Sequence, residues 1–406
     1  MSRRDLLRGL GAGAGAAGLG ALLSACGNAA GASPTITSLP LPRKNHPVRW
    51  PIFKDNQPIP SGLKPEVGAT LKLYNWTAYI NQAVINNFQK KYKCSVEWTS
   101  FNTITDAISK IKSGEADYDV FVPTPDNLGQ LIEAKLIQPL NHSYIPNIAQ
   151  CWPDFLNPFY DQGWQYTVPY TVYTTGITWR KDHVDGNPAQ WKNGFQFPWQ
   201  KKYAGKVAIL DDYRESLSLG LMYNGNYDLN TTSASQLRLS KASLDDLDTL
   251  VGGVQIDNND YTNVPSGQVW IHHAWSGDMA AAASYMPKGV PVEVVGYWFP
   301  ANGVGPVAND NMVVLKTSKA PVLAHLFLNY FLDLPNVIEN ISFNGYIQPL
   351  IKCTPELLVQ EKILPPSLMS TVVLPSYFRN GLFELELPPT ADVQWEQDWL
   401  EFSGGI

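Results

Sequence analysis

The chain has few cysteines and lacks the short motifs of the common enzyme classes. It contains four cysteines in 406 residues. No Gly-x-Ser-x-Gly elbow, His-Glu-x-x-His pair or Walker phosphate loop occurs in it. These absences argue against a serine hydrolase, a zinc peptidase and a P-loop nucleotidase. Residues 303–308 are spaced like a dinucleotide fingerprint, but Pro306 interrupts the spacing and no helix pattern opens there, which indicates a loop.

Metal-binding patterns are also absent. Three cysteines follow position 26, and because three is odd they cannot all pair internally, so one disulfide and none both stay open. Their spacing fits no zinc site. His272 and His273 are adjacent on a predicted strand and point to opposite faces, which favours a structural role over a shared metal. Residues 257–260 lack the glycine and final glutamate of a calcium loop. We therefore expect no metal and no cofactor. The three cysteines are Cys94, Cys151 and Cys353.

The first 26 residues carry an export pattern. Ser2-Arg3-Arg4-Asp5-Leu6-Leu7-Arg8 matches a twin-arginine signal. The apolar run over residues 9–25 is short and weak for a membrane span. It ends in Leu23-Ser24-Ala25-Cys26, which resembles a bacterial lipobox. This order predicts cleavage of residues 1–25, lipidation of Cys26 and anchoring on the outer face of the cytoplasmic membrane. The alternative is an uncleaved anchor helix.

The segment that follows has the composition of a tether. Residues 26–66 are rich in proline without apolar periodicity, which predicts a semi-rigid tether, although residues 46–51 have the composition to pack on the body. Residues 1–25 carry three arginines and one aspartate, so their removal would change the net charge from −6 to −8. A moderately acidic chain is a poor candidate for nucleic acid and tolerates cationic ligands.

The rest of the chain alternates strand and helix patterns, which predicts an α/β fold of about two domains. No internal repeat and no membrane span is evident after residue 26. Strands are predicted at residues 70–74, 95–99, 119–122, 171–180, 207–210, 268–272, 291–295 and 312–315. Helices are predicted at residues 80–92, 105–114, 128–134, 216–223, 320–332 and 336–342.

Acidic residues mark one strand-to-helix turn. Asp212 and Glu215 follow the apolar strand at 207–210, at a position where α/β sheets place ligands. They also fit a capping box, with Asp212 as N-cap and Glu215 at N3. Aromatic residues stand at other strand ends: Trp76 and Tyr79 after the first strand, and Trp275 after the two histidines. Carboxylates and ring faces together suit an organic cation.

Several segments resemble the substrate-binding lipoproteins of bacterial spermidine/putrescine ABC transporters. The resemblance runs from about Leu71 to Leu400 and implies a two-lobed periplasmic-binding-protein fold of type II, with the ligand in the cleft between two α/β lobes. Its most specific motifs are Leu73-Tyr-Asn-Trp-Thr-Ala-Tyr79, Tyr118-Asp-Val-Phe-Val-Pro123, Leu210-Asp-Asp-Tyr-Arg-Glu215, Ile271-His-His-Ala-Trp-Ser-Gly277 and Asn344-Gly-Tyr346.

The resemblance also implies ligand-binding residues. By it, three acids bind amine groups, four aromatic residues line the cleft and Thr124 faces the ligand. These residues are Trp76, Tyr79, Thr124, Asp212, Glu215, Trp275, Asp310 and Tyr346. Two departures from the family pattern stand out. Ala308 occupies the place of a frequent aromatic, for which Tyr297, Trp298 or Phe299 could substitute. Asp126 replaces a frequent tyrosine and joins the predicted site, unless it caps the helix beginning near Leu128.

These features predict a lipid-anchored, monomeric binding protein that captures a polyamine and delivers it to an ABC permease, without catalysis. Another small organic cation, a sensor that presents its ligand to a signalling partner, and an exported enzyme on the same fold are the alternatives. We expect residues 67–169 with 310–355 to form one lobe. We expect residues 170–309 with 356–406 to form the other.

Overall fold

The computed structural model describes residues 40–114 and 117–404. Within these ranges the chain forms nine β-strands and twelve α-helices. The strands are β1 (Thr70–Trp76), β2 (Ser95–Phe101), β3 (Val120–Phe121), β4 (Val168–Arg180), β5 (Val207–Ile209), β6 (Gln255–Ile256), β7 (Ile271–Trp275), β8 (Val295–Trp298) and β9 (Val307–Val314). The helices are α1 (Gln82–Tyr92), α2 (Ile104–Ser113), α3 (Leu128–Glu133), α4 (Tyr213–Tyr223), α5 (Ala234–Val251), α6 (Asp260–Ser266), α7 (Ser276–Ala280), α8 (Pro321–Tyr330), α9 (Leu334–Asn344), α10 (Pro355–Gln360), α11 (Pro375–Asn380) and α12 (Pro389–Ser403).

Two long strands join two groups of shorter ones. The hydrogen-bonded order is β2-β1-β3-β9-β4-β7-β5-β6, with β8 also paired to β4. β1 lies parallel to β2 and β3, and β5 lies parallel to β6 and β7. The first half of β4 pairs antiparallel with β9, and its second half pairs with β7 and β8. β4 therefore passes from one group of strands to the other, and its side chains lie next to both groups.

Two separate apolar cores support these groups. The larger includes Leu73 of β1 and Val313 of β9, and the smaller includes Ile209 of β5 and Trp395 of α12, all buried. Helices α4, α5 and α12 cover the smaller core. Buried apolar side chains on β4 and β9, such as Val172 and Val313, hold these two central strands in place.

Residues 40–66 lie against the body rather than forming a free tether. Val48 and Trp50 are buried, and the Trp50 indole donates to the carbonyl of Tyr160 at 2.7 Å. The Asn56 amide donates to the carbonyl of Ile137 at 2.8 Å. The expected packing of residues 46–51 is seen, because the Val48 side chain and the Trp50 ring are removed from water there. The predicted signal peptide, the predicted lipobox and residues 26–39 lie outside the described residues.

Some element boundaries differ from the sequence prediction. The strand predicted at 291–295 is wrong, since Val292–Val294 form a 3₁₀ turn and β8 begins at Val295. The strand predicted at 268–272 lies further along, at Ile271–Trp275. Helices α5 and α12 were not predicted, because polar residues interrupt their apolar stripes. No helix among residues 40–114 and 117–404 is long and apolar enough to cross a membrane.

Three of the six histidines, His272, His273 and His325, and two of the three described cysteines are buried. His272 and His273 are fully buried on β7, and burial lowers the pKa of His273 to about 3, so it is neutral at ordinary pH. The three described cysteines are free thiols, as one of the two open alternatives allowed. In the described ranges, no group of three or more His, Cys, Asp or Glu side chains could hold a metal ion.

Candidate ligand cleft

One face of β4 forms the centre of the site. Thr171, Tyr173 and Thr175 alternate with their neighbours and so point to the same side of the strand. Thr171 is directly opposite Asp310 of β9 in the ladder. Thr171 and Thr175 are four residues apart, which is about 13 Å along a strand. Each of these threonines contacts a carboxylate. The row formed by Thr171, Tyr173 and Thr175 therefore has an acid at each end.

Asp310 is held at one end by two hydroxyl groups. Tyr79 donates to its Oδ2 at 2.6 Å, and Thr171 donates to the same oxygen at 2.8 Å. Asp310 is buried, and burial raises its pKa to about 6 although both hydrogen bonds lower it. Tyr79 stands just after β1, where the chain turns toward α1. The sequence prediction that placed Tyr79 and Asp310 in one site therefore agrees with the geometry.

Glu215 occupies the other end of the row. Its Oε1 accepts from the Thr175 hydroxyl at 2.9 Å and from the Trp275 indole Nε1 at 2.8 Å. Its Oε2 is buried and has no hydrogen-bond partner among the described residues. Burial raises the Glu215 pKa, and the neighbouring charge of Asp212 raises it further. A carboxylate oxygen in this state is ready for a donor that the chain itself does not supply.

Asp212 and Glu215 do not form the capping box that the sequence allowed. Asp212 is the N-cap of α4, and its Oδ1 accepts from the backbone N–H groups of Arg214 and Glu215 at 2.9 and 3.1 Å. Glu215, however, bonds Thr175 and Trp275 instead of returning to the Asp212 backbone. The capping interpretation is right for Asp212 alone, while Glu215 turns toward β4. Burial raises the pKa of Asp212.

Three tyrosine rings meet edge to face beside the acids. The Tyr346 ring centroid is 5.1 Å from that of Tyr79 and 5.7 Å from that of Tyr173. Tyr346 lies over Gly277, where an added Cβ would come within 2.4 Å of the ring, so only glycine leaves room for it. The Trp76 ring packs on that of Phe101, with 4.5 Å between centroids, and its buried indole N–H has no acceptor among the described residues, so its place in the site stays a prediction.

Thr124 and Asp126 lie in the turn between β3 and α3. The amide of Asn127 donates to the Thr124 hydroxyl at 3.0 Å and to Oδ2 of Asp126 at 2.8 Å. The N-cap of α3 is Asn127, so the alternative that Asp126 caps this helix is wrong. Burial raises the pKa of Asp126, and the charge of Asp212 adds to the shift. Asp126 therefore lies near the other acids.

Two further acids that the sequence analysis missed complete the cluster. Glu384 and Glu386 lie on an extended segment before α12, and each has one buried carboxylate oxygen without a partner in the described chain. Burial and then the charge of Glu215 raise the Glu384 pKa well above its usual range. Burial and then the charge of Asp126 raise the Glu386 pKa to about 7. The alternation of acid and apolar residues over 383–387 was the signal that could have found them.

A satisfied buried acid elsewhere in the chain shows the contrast. Asp161 is fully buried, and the backbone N–H groups of Gln165, Tyr166 and Thr167 all donate to its carboxylate, as does the Thr167 hydroxyl. Such an acid has a structural role. One carboxylate oxygen on each of Glu215, Glu384 and Glu386 has no donor among the described residues, so the cleft holds acids that packing does not explain.

The three rings that could substitute for the aromatic missing at Ala308 make other contacts. Trp298 packs on Phe195 at 5.1 Å, Phe299 packs on Tyr377 at 5.2 Å, and the Tyr297 hydroxyl bonds Thr174. The residue directly opposite Ala308 in the ladder is Tyr173. Burial raises the pKa of Tyr173, and the charges of Asp310 and Glu215 raise it further, so this ring lies among the acids. Tyr173 thus supplies an aromatic surface next to the missing one.

Comparison with known proteins identifies the family. Residues 83–361 match the model described as bacterial extracellular solute-binding protein. The chain belongs to this family. Family members are binding proteins, so the expectation that the chain is not an enzyme is confirmed.

Individual relatives agree with this assignment. The solute-binding chain is 27% identical over 305 residues to the putrescine/cadaverine-binding protein of Pseudomonas aeruginosa, covering 73% of this chain and 84% of that protein. It is 26% identical over 344 residues to the spermidine/putrescine-binding periplasmic protein of Escherichia coli, covering 83% and 92%. The family resemblance found in the sequence is confirmed by these matches.

A solved structure confirms the fold. The spermidine/putrescine ABC transporter substrate-binding protein PotD from Streptococcus pneumoniae superposes with a TM-score of 0.69 at 24% identity, covering 83% of this chain and 99% of that one. The two-lobed α/β periplasmic-binding-protein architecture expected from the sequence is therefore confirmed. The predicted lobe boundaries stay a prediction, although the breaks at 169/170 and 309/310 fall within the two long strands β4 and β9.

Proposed function

We propose that this protein binds a polyamine in the cleft and delivers it to an ABC permease. The observation that carries the proposal is that Glu215, Glu384 and Glu386, beside the tyrosine rings, each have one buried carboxylate oxygen with no donor in the described part of the chain. Ammonium groups supply charge-assisted donors to such oxygens, and methylenes pack on ring faces. The curated relatives named for spermidine, putrescine and cadaverine support the same ligand class.

The row along β4 suits an extended chain with an ammonium group at each end. The Cα atoms of Thr171 and Thr175, each of which bonds one acid through its side chain, stand about 13 Å apart by strand rise. An extended triamine such as spermidine spans about 11 Å between its terminal nitrogens, from bond lengths near 1.5 Å. A diamine such as putrescine spans about 6 Å on the same basis. One ligand with a central and two terminal ammonium groups can therefore engage Asp310 and Glu215 together.

Transport without chemistry follows from the two-lobed fold. A cation that contacts Asp310 and Tyr79 on one side and Glu215 and Trp275 on the other stabilises the form in which the lobes are closed. The bound cation also relieves the repulsion among the carboxylates, because its positive charges offset their negative charges. The proposed ligand-binding residues are Tyr79, Thr124, Asp126, Asp212, Glu215, Trp275, Asp310 and Tyr346, with Tyr173, Glu384 and Glu386 added from the structure.

We also propose export by the twin-arginine route and lipid anchoring at Cys26. The order of the two motifs at the N-terminus supports this, and both lie outside the described residues. A lipidated Cys26 would hold the monomeric body next to the permease.

A thermal-shift screen tests the binding function. The purified protein is heated with spermidine, putrescine, cadaverine, arginine and glucose in parallel. We expect the polyamines to raise the melting temperature in a concentration-dependent way, because a ligand that binds only the folded state stabilises it by mass action. A shift with arginine alone would indicate a different cation, and a shift with none of the cations would contradict the proposal.

A further inference from the structure

The segment that carries Glu384 and Glu386 is held by hydrogen bonds to its backbone and by burial of its apolar side chains. In this acidic segment, defined as residues 381–387, Asn230 donates to the carbonyl of Phe383 at 2.7 Å and accepts from the N–H of Leu385 at 2.7 Å. Arg214 donates to the carbonyl of Leu385 at 3.1 Å. Side chains alternate in burial along the segment, with Phe383, Leu385 and Leu387 buried. The two glutamates are therefore directed away from the core, toward the cleft acids.

Two cations from the N-terminal end of the body complete this support. Arg43 donates to the carbonyl of Glu386 at 2.8 Å. The Lys44 ammonium donates to the carbonyls of Arg379 and Gly381, each at 2.7 Å, and lies 4.6 Å from the centroid of the Phe383 ring. Both residues sit in a tight turn closed by paired backbone hydrogen bonds between Arg43 and His46. Arg43 thus bonds a carbonyl oxygen, and its charge also lowers the Glu386 pKa, while Lys44 bonds carbonyl oxygens and lies against a ring face.

The segment that carries Arg43 and Lys44 is bound to the rest of the protein by hydrogen bonds and a salt bridge. We define it as the strap, residues 40–56. Val48 pairs through its backbone with Phe159 and Gln162, and the buried Trp50 indole bonds the Tyr160 carbonyl. Asp55 forms a salt bridge with Lys135 at 2.7 Å. Because one end of the strap is fixed to residues 135–162 and the other to residues 379–386, it ties two distant parts of the chain together.

We propose that Arg43 and Lys44 are positioning residues for the cleft, and that the strap holds Glu384 and Glu386 where they serve the additional ammonium groups of longer polyamines. This inference rests on the proposed function. Like charges crowd the acidic segment, with Glu384 facing Glu215 and Asp212 and Glu386 facing Asp126, so an unsupported segment would move outward in the empty protein. Donors from the strap oppose that movement by bonding the backbone of the segment, and the charge of Arg43 also partly offsets the repulsion at Glu386.

The test compares two strap variants with a matched control. Lys44→Met and Arg43→Gln each remove one positive charge and the hydrogen bonds to the acidic segment. Lys54→Met removes one positive charge from an exposed position of the same strap. Electrostatics alone predicts that all three variants bind a cation slightly more tightly. Positioning predicts that the first two bind spermidine about two- to tenfold more weakly, the size of one net hydrogen bond, while Lys54→Met does not.

Two further measurements separate positioning from a general structural effect. Affinity for putrescine should change less than affinity for spermidine, because the diamine needs fewer of the cleft acids. Arg43→Gln should also cost little when Glu384→Gln and Glu386→Gln are already present, since the positioned charges are then gone. If Arg43→Gln fails to fold by thermal melting, Arg43→Lys and Lys44→Met provide the comparison.

The possible results are distinct. The inference would be overturned if the variants at Arg43 and Lys44 bound spermidine as tightly as Lys54→Met does. It would also be overturned if these variants lost equal affinity for spermidine and putrescine and this loss persisted in protein that carries Glu384→Gln and Glu386→Gln. Wild-type protein that binds no polyamine would instead contradict the proposed function.

Discussion

Trp275 donates its indole N–H to Oε1 of Glu215 at 2.8 Å, whereas Oε2 is buried and receives no donor from the residues that the structure describes. The bond orients the carboxylate and lowers the Glu215 pKa, but burial and the charge of Asp212 raise it more strongly. The empty cleft therefore holds a carboxylate at an energetic cost, and a cationic ligand removes that cost. A protein built only for stability would place an apolar residue or a donor there.

Glu215→Gln should separate binding from stability. The substitution removes a charge-assisted hydrogen bond to the ligand, which contributes about 1.5–3 kcal/mol, so polyamine affinity should fall roughly ten- to a hundredfold. The melting temperature of the empty protein should stay the same or rise, because repulsion with Asp212 and Glu384 is relieved. Calorimetry and thermal melting measure the two effects.

The matched control for this experiment is Glu396→Gln. Glu396 is exposed on α12, and the same change in net charge there should leave affinity unaltered. Equal losses of affinity for both variants would mean that overall charge, and not the Glu215 position, determines binding.

Asp212→Asn distinguishes capping from ligand binding. Asn caps a helix about as well as Asp, so stability should be retained, whereas Asp212→Ala should lose about 1 kcal/mol with the cap. If Asp212 also holds an ammonium group, both variants should weaken polyamine binding by about 1.5–3 kcal/mol. An Asp212→Asn protein with wild-type affinity in calorimetry would restrict Asp212 to its capping role.

Affinity and stability should respond to pH in opposite directions. The pKa values of Asp310 and Glu386 are raised to about 6 and about 7, so the folded empty protein binds protons more tightly than the unfolded chain. The stability contributed by these two groups is complete below their unfolded pKa values, near 4, and is lost as pH rises to about 7.

Polyamine binding requires the ionised carboxylates, so affinity should rise over the same window. Calorimetry and melting curves at pH 5, 6, 7 and 8 check both trends. The variant Asp310→Asn should reduce the pH dependence, and an affinity that is constant from pH 5 to 8 would argue that these acids stay clear of the ligand.

Cys26→Ser tests the proposed anchor. The variant should fold and bind like the wild type in extracts but appear in the soluble fraction, because the thiol that accepts lipid is absent. Intact-mass measurement of the wild-type protein from cells should show residues 1–25 missing and a lipid mass on Cys26. Protein that retains residues 1–25 would contradict cleavage at the lipobox.

Much of the site was predictable because strand ends carry recognisable residues. The alternation of Thr and Tyr on β4 was visible but was interpreted only as a β-rich run, so Thr171, Tyr173 and Thr175 were missed. Their partners Asp310 and Glu215 are 95 residues apart, and only the strand pairing brings both to β4. The contact between the Trp76 ring and Phe101 of β2 could not be predicted either, since a ring at a strand end can face a ligand or pack on a neighbouring strand.

The acidic segment illustrates what sequence patterns cannot show. Glu384 and Glu386 alternate with apolar residues, as in any half-buried strand, and nothing in that pattern says which acids they face. Their position depends on donors from Arg43, Asn230 and Arg214, which lie far away in the chain. The strap was expected to belong to a tether because its prolines interrupt periodicity, although the packing of residues 46–51 was anticipated.

The central claim is that a row of carboxylates along β4 binds a polyamine, and calorimetry with spermidine and putrescine at low and high salt tests it most directly. Each ammonium group that reaches a carboxylate adds affinity, so spermidine should bind more tightly than putrescine. Added salt should weaken both, though less than for exposed charges, because the cleft excludes ions. Asp126→Tyr should narrow the difference between the two ligands. Absence of polyamine binding, or putrescine binding at least as tightly as spermidine at low salt, would contradict this account of the cleft.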